Sequence, residues 1–189
     1  MIFALLLAAV AITGCGDAHS HSHKADEHEV KLQLTAYGND FEVYAEATPF
    51  VVGEKSDILA HFTLLNNFKP LTGGSVTASL IVGGKKVIET VKTPAHPGIY
   101  KFDLTPETAG RGQIVFDIQS DSVKSQIIVK DVNVYTKRED AQHAAADAVV
   151  ESSNAVVFTK EMSWKVDFST EPCRKEPFGQ VIRTMAQVE

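Results

Sequence analysis

Between residues 30 and 135 apolar side chains recur at every second position, in short runs broken by Gly, Pro and Asn. Phe41, Val43, Ala45 and Ala47 alternate with polar or smaller partners and predict a strand with one buried face. A longer strand is expected over 56–65, with Ile58, Ala60, Phe62 and Leu64 in register. Residues 66–74 form a turn-rich connection, and Val76, Ala78, Leu80 and Val82 then alternate again. Gly83-Gly84 signals a hairpin, with a return strand over 85–91. After the break at 94–98, Tyr100, Phe102 and Leu104 share a face. A loop over 105–112 leads to Ile114, Phe116 and Ile118, which point the same way. Asp121-Ser122 marks a turn, and 123–135 reads as a last long strand, bulged or bent midway. Short strands at regular spacing with turn signals between them are the signature of a β-sandwich.

The pattern changes on both sides of this stretch. Residues 138–150 hold strong helix formers with early acids and predict a short helix leaving the sandwich; 152–154 look like a hinge. At the other end, residues 2–12 are uniformly apolar, too short to span a bilayer, which takes about 20 residues, but of signal-peptide length. They run into Ile12-Thr13-Gly14-Cys15, which resembles the bacterial lipobox, although no Lys or Arg precedes the apolar run. The resemblance implies a signal peptide over 1–14 and lipid attachment at Cys15. More than one acyl chain is what durable membrane attachment requires.

Residues 15–29 have no apolar periodicity and should be disordered. They carry His19, His21, His23 and His28 among Asp17, Asp26, Glu27 and Glu29. Flexible imidazoles beside carboxylates suit Zn or Cu, and binding should weaken below about pH 6, where imidazole takes a proton. The other reading is a solvated tether that lifts the domain off a membrane.

A chain of 189 residues, 44% hydrophobic, fits one medium domain with appendages. Its formal net charge of -6 argues against nucleic-acid binding. With Cys15 acylated, Cys173 would stand alone and no intramolecular disulfide could form. No Ser/His/Asp order, cleft acid pair or phosphate-binding Gly loop stands out, so the chain reads as non-enzymatic with no required cofactor. His61, on a strand opposite the Phe62 face, and His96, in a Pro-rich loop, are a candidate copper or zinc pair. Two surface imidazoles are the favoured reading.

Asn67-Phe68-Lys69-Pro70-Leu71-Thr72-Gly73 and Pro97-Gly98-Ile99-Tyr100 resemble the turns of a small immunoglobulin-like domain of secreted bacterial proteins. Further on stand Phe158-Thr159-Lys160-Glu161-x-x-Trp164, Asp167-Phe168-x-Thr170-Glu171 and Gly179-Gln180-Val181-Ile182. These resemble the opening of the β-barrel of periplasmic adaptor subunits, the membrane fusion proteins of heavy-metal-type RND efflux pumps. The implied fold is mainly β: an immunoglobulin-like β-sandwich over 30–135, a helix and linker over 136–155, and an incomplete β-barrel start over 156–189.

The family continues into a lipoyl-like domain split by a helical hairpin. This chain shows no long heptad segment and no lipoyl halves, so the likeness covers the first third to half of an adaptor. Met162 and Met185 do not match the methionine ligands of copper-exporting relatives. The implied function is a non-catalytic scaffold on the periplasmic side of the cell envelope, lipid-anchored to the inner membrane and oligomeric in its assembly. It would link an RND inner-membrane transporter to an outer-membrane channel. A free-standing periplasmic metal-binding lipoprotein that uses the His-rich tether is the alternative. An adhesion or glycan-binding module is a third, since β-sandwiches host many functions.

Overall fold

Phe41, Val43, Ala45 and Ala47 are fully buried, and together they make one face of β2 (Phe41–Ala47). The computed structural model describes residues 30–120, 123–148, 157–167, 173–175 and 179. Within them the chain is mainly β, in two sheets. The first sheet orders β1 (Leu32–Tyr37), β2, β4 (Ser56–Leu64) and β7 (Ile99–Leu104), all antiparallel. The second orders β3 (Phe50–Val51), β9 (Lys124–Tyr135), β8 (Gly110–Gln119), β5 (Ser75–Val82) and β6 (Lys85–Val91).

Their inner faces share one core. Phe62 of β4 meets Tyr100 at 5.5 Å between ring centroids and Phe116 of β8 at 5.4 Å, both edge to face. Such geometry adds to the area the rings bury. The Tyr100 hydroxyl, carried into the core with its ring, donates to the Gly74 carbonyl at 3.0 Å, as a buried hydroxyl must find a partner.

The alternating positions read from the sequence occupy the core as expected: Ile58, Ala60 and Phe62; Val76, Ala78, Leu80 and Val82; Tyr100, Phe102 and Leu104; Ile114, Phe116 and Ile118. Gly83 and Gly84 both take positive φ (56° and 79°), the backbone of a two-residue type I′ hairpin between β5 and β6. The irregularity expected in the last strand is a β-bulge. Gly112 pairs with Val132 and Gln113 with Lys130, leaving Asp131 extra at φ 63°.

Three local readings are corrected. Gly110, Arg111 and Gly112, expected in a loop, belong to β8, because the bulge lets β9 stay paired to them. A Cβ on Gly112 would lie 2.2 Å from the Ile81 carbonyl oxygen, so the close approach of β5 requires glycine. β1 and the two-residue β3 are not singled out by the pattern. β3 pairs parallel with the end of β9, carrying Phe50 into the core after Pro49. Finally, α1 (Arg138–Asp147) does not leave the domain: Ala141 and Ala145 are buried where it packs on β9 and β3, and Arg138 reaches Glu54 at 2.5 Å.

No helix among the described residues is long and apolar enough to cross a membrane. Cys15, His19, His21, His23, His28, the Asp121-Ser122 turn and the 152–154 hinge lie outside the described residues, as does nearly all of 168–189. Cys173 is exposed.

Candidate functional site

The outer face of the first sheet carries polar side chains in register. Glu42 lies opposite Thr63, Tyr44 opposite His61, and Glu46 opposite Leu59. Period-2 alternation turns all six away from the core. Outward residues on an antiparallel sheet are ordinarily solvated. Here Glu42, His61 and Thr63 are buried.

What covers them is the segment 157–167. Its resemblance implies the opening of a β-barrel, but residues 157–167 form no strand. Thr159 caps a single helical turn, α2 (Lys160–Ser163), its hydroxyl accepting the Met162 N–H at 3.3 Å. The turn lies against the sheet and makes one bond to each buried polar side chain. Lys160 Nζ reaches Glu42 Oε1 at 2.5 Å. His61 Nε2 meets Glu161 Oε1 at 2.8 Å. The Trp164 indole N–H donates to Thr63 Oγ1 at 2.9 Å. Lys69 closes the far end through its ammonium, which donates to the Trp164 and Val166 carbonyls at 3.2 and 3.3 Å. Lys160, Glu161 and Trp164 are the distinctive residues of the motif read from the sequence, and all three are spent on this clasp.

The seat for Trp164 is built by the two turn motifs of the β domain. Leu71 N–H donates to the Phe62 carbonyl, Gly98 N–H to the Leu71 carbonyl, and Phe62 N–H to the Gly98 carbonyl, at 3.0, 2.7 and 2.8 Å. Gly98 stands at φ 81°, and a Cβ there would fall 2.6 Å from the indole ring and 2.7 Å from Pro70. The indole therefore packs onto bare backbone. On its other side it lies 6.0 Å from the His61 ring, which is 5.8 Å from Tyr44.

His61 is the principal correction at this site. It is not a surface imidazole; its side chain is 5% exposed. Its Nδ1 is buried with no partner. An orphaned lone pair costs less than an orphaned N–H, so the imidazole presents its N–H at Nε2, toward Glu161. His96 is exposed, as favoured. Among the described residues no group of three or more His, Cys, Asp or Glu is placed to hold a metal ion.

Burial pushes the Glu161 carboxyl up, but hydrogen bonds from its own backbone, Thr159 and His61 outweigh it and hold the carboxyl below its ordinary value. The Tyr44 phenol is pushed up to about 12 by burial, by its bond to Glu46 (3.0 Å) and by the Glu46 and Glu161 charges. Beside the clasp the sheet and the segment part to leave an open cleft of about 480 Å³. Its floor is Gln33, Tyr44, Glu46, Leu59 and His61, and its wall runs from Val157 to Glu161.

Sequence reasoning missed Glu42 and Thr63 altogether, because each is unremarkable until strand register sets it beside its neighbour. The available signal was the lone tryptophan, an expensive residue to leave without a cavity to fill. No family model, curated protein or solved structure matches the chain.

Proposed function

We propose that this chain is the N-terminal part of a lipid-anchored periplasmic adaptor of a tripartite RND efflux system, and that it acts as a scaffold. Its two-sheet domain is then an immunoglobulin-like sandwich that sits beside the inner-membrane transporter and positions the adaptor's barrel. The observation that carries this reading is the clasp. The segment whose sequence resembles the start of an adaptor barrel is pinned to the β domain through Glu42, His61 and Thr63. A chain held at three points over a few residues leaves the domain in one direction, which is what a spacer between two membranes needs. The absence of a catalytic order in the sequence agrees with a mechanical role. The test is assembly in the cell envelope. The lipidated protein should cross-link to an RND inner-membrane transporter, and deletion of residues 30–135 should abolish that contact. Unchanged pump assembly in the deletion would sink the proposal.

The alternation of His19, His21 and His23 favours a second reading, a free-standing periplasmic metal-binding lipoprotein. Calorimetric titration of zinc or copper into the mature chain, with and without residues 16–29, separates the two. Micromolar binding that vanishes with the tether supports the second reading, and no heat removes it.

A further inference from the structure

The two outer faces of the domain differ in charge. On the strands of the first sheet the outward side chains include Glu42, Glu46, Asp57 and Asp103 against one lysine, Lys101. Lysines that approach that face are taken up: Lys31 meets Asp57 at 3.2 Å, Lys55 meets Asp103 at 3.0 Å, and Lys160 meets Glu42 at 2.5 Å. The second sheet has the opposite character. Ile88 of β6, Ser79 of β5, Val115 of β8 and Ile128 of β9 lie side by side in one row on its outer face. The next row is Lys86, Ile81, Gln113 and Lys130. Lys124 stands on the same face of β9, at the other end of the strand. Ile88 is 54% exposed and Ile128 37%, and the three lysines are exposed. None of these lysines has a carboxylate partner among the described residues. The other charges of the face are engaged: Arg111 meets Asp131 at 2.6 Å, and Asp117 accepts from the Gln126 amide at 2.7 Å. A chain of net charge -6 thus carries one sheet face with two bare isoleucines and three unpaired ammonium groups. From strand spacing and rise, that face spans about 14 Å by about 20 Å.

We propose that this face rests on an anionic phospholipid bilayer. Ile88 and Ile128 enter the headgroup region, and Lys86, Lys124 and Lys130 lay their stems along the apolar row and bring their ammonium groups to lipid phosphates. Charge complementarity selects an anionic surface, and the flatness of a four-stranded face suits a bilayer better than a concave partner. A second argument rests on the lipid anchor of the proposed function. Residues 16–29 put fourteen positions between Cys15 and the domain. They span at most about 50 Å, so an acylated Cys15 holds the domain within that reach of the membrane. At the effective concentration a short tether gives, a weak affinity for lipid is enough to dock the domain. Docking by the second sheet turns the first sheet and its clasp, on the opposite side of the core, away from the membrane.

The test is cosedimentation of the mature chain, residues 15–189, with vesicles at neutral pH, its acylation blocked by Cys15→Ser. Vesicles of phosphatidylglycerol and phosphatidylcholine in equal parts should half-bind the chain at about 5 mM lipid or less, and phosphatidylcholine alone should not bind it measurably. Binding should be lost in about 1 M salt, where the screening length falls to about 3 Å. Each lysine near such a surface is worth about fivefold, so Lys86→Gln, Lys124→Gln and Lys130→Gln together should weaken binding about 100-fold. Ile88→Thr with Ile128→Thr keeps both positions β-branched and should weaken it about tenfold. Lys101→Gln, on the opposite face, should leave binding unchanged, and the lysine variants should melt with the parent chain. Equal binding to both kinds of vesicle, undiminished binding in the triple lysine variant, or binding to neither overturns the proposal. A chain that ignores vesicles but dimerises through these lysines and isoleucines assigns the face to a second copy and overturns it as well. The mass of the Cys15 peptide from the cell envelope reads the anchor separately. Vesicle binding with an unacylated Cys15 keeps the docking face and removes the anchor; an acylated Cys15 with no vesicle binding removes only the docking face.

Discussion

Trp164 is the chain's one tryptophan, and its environment shows how a few residues hold the clasp. The ring is 8% exposed, its N–H is satisfied by Thr63, and its face rests on Gly98. Thr63→Val keeps the shape but orphans the indole N–H, so the clasp should weaken by about 1–3 kcal/mol. Gly98→Ala meets both a left-handed backbone and the indole. It should cost about 1–3 kcal/mol by overpacking alone, and part of that should be recovered in a Trp164→Ala background. A double-mutant cycle read by hydrogen exchange over 157–167 checks both; additive costs would mean the ring and Gly98 do not touch. Glu161 adds a pH dependence with a defined sign. Its folded value is lowered, so its contribution is fully present above the ordinary carboxylate value of 4.5 and is lost as pH falls through the folded value. Trp164 emission should shift red only below about pH 4.5, as the protonated carboxyl releases His61. Glu161→Gln should flatten the transition.

At the scale of elements, the strands are legible in the sequence because each buries one face. Period-2 alternation is the direct consequence, and β2, β4, β5, β7 and β8 fill the core with the residues that the pattern names. The Gly83-Gly84 turn is legible because few residues other than glycine accept two successive positive φ values. The bulge in β9 is legible only in outline. Its position depends on Asp131 accepting φ 63°, which an aspartate tolerates and a β-branched residue does not. Asp131→Gly should leave stability unchanged or slightly raised, while Asp131→Val should cost about 1–2 kcal/mol by thermal unfolding. The ion pair of Asp131 with Arg111, exposed on both sides, changes this little. Residues 157–167 mislead because their local content is ambiguous. Four helical residues cannot sustain a helix alone, and only the Thr159 cap and the sheet beneath them select the turn.

For the molecule as a whole, the core cluster draws on both sheets and includes nothing from 157–167. The β domain should therefore fold without its clasp. A chain ending at residue 148 should unfold cooperatively, with a melting temperature lower by about 5–10 °C, the cost of one lost aromatic contact and its bonds. Loss of cooperativity would mean that the clasp belongs to the folding unit. The sequence by itself determined the class of fold, the core residues and the hairpin, because burial of one strand face and glycine's freedom at positive φ are local demands written at fixed spacing. Only the tertiary structure decided the partner of each outward polar residue. Glu42 and Lys160 are 118 positions apart, His61 and Glu161 100, Thr63 and Trp164 101. Strand register and the return of a distant segment bring them together, and neither leaves a period in the chain. A buried histidine and an exposed one look alike until the surface above them is known.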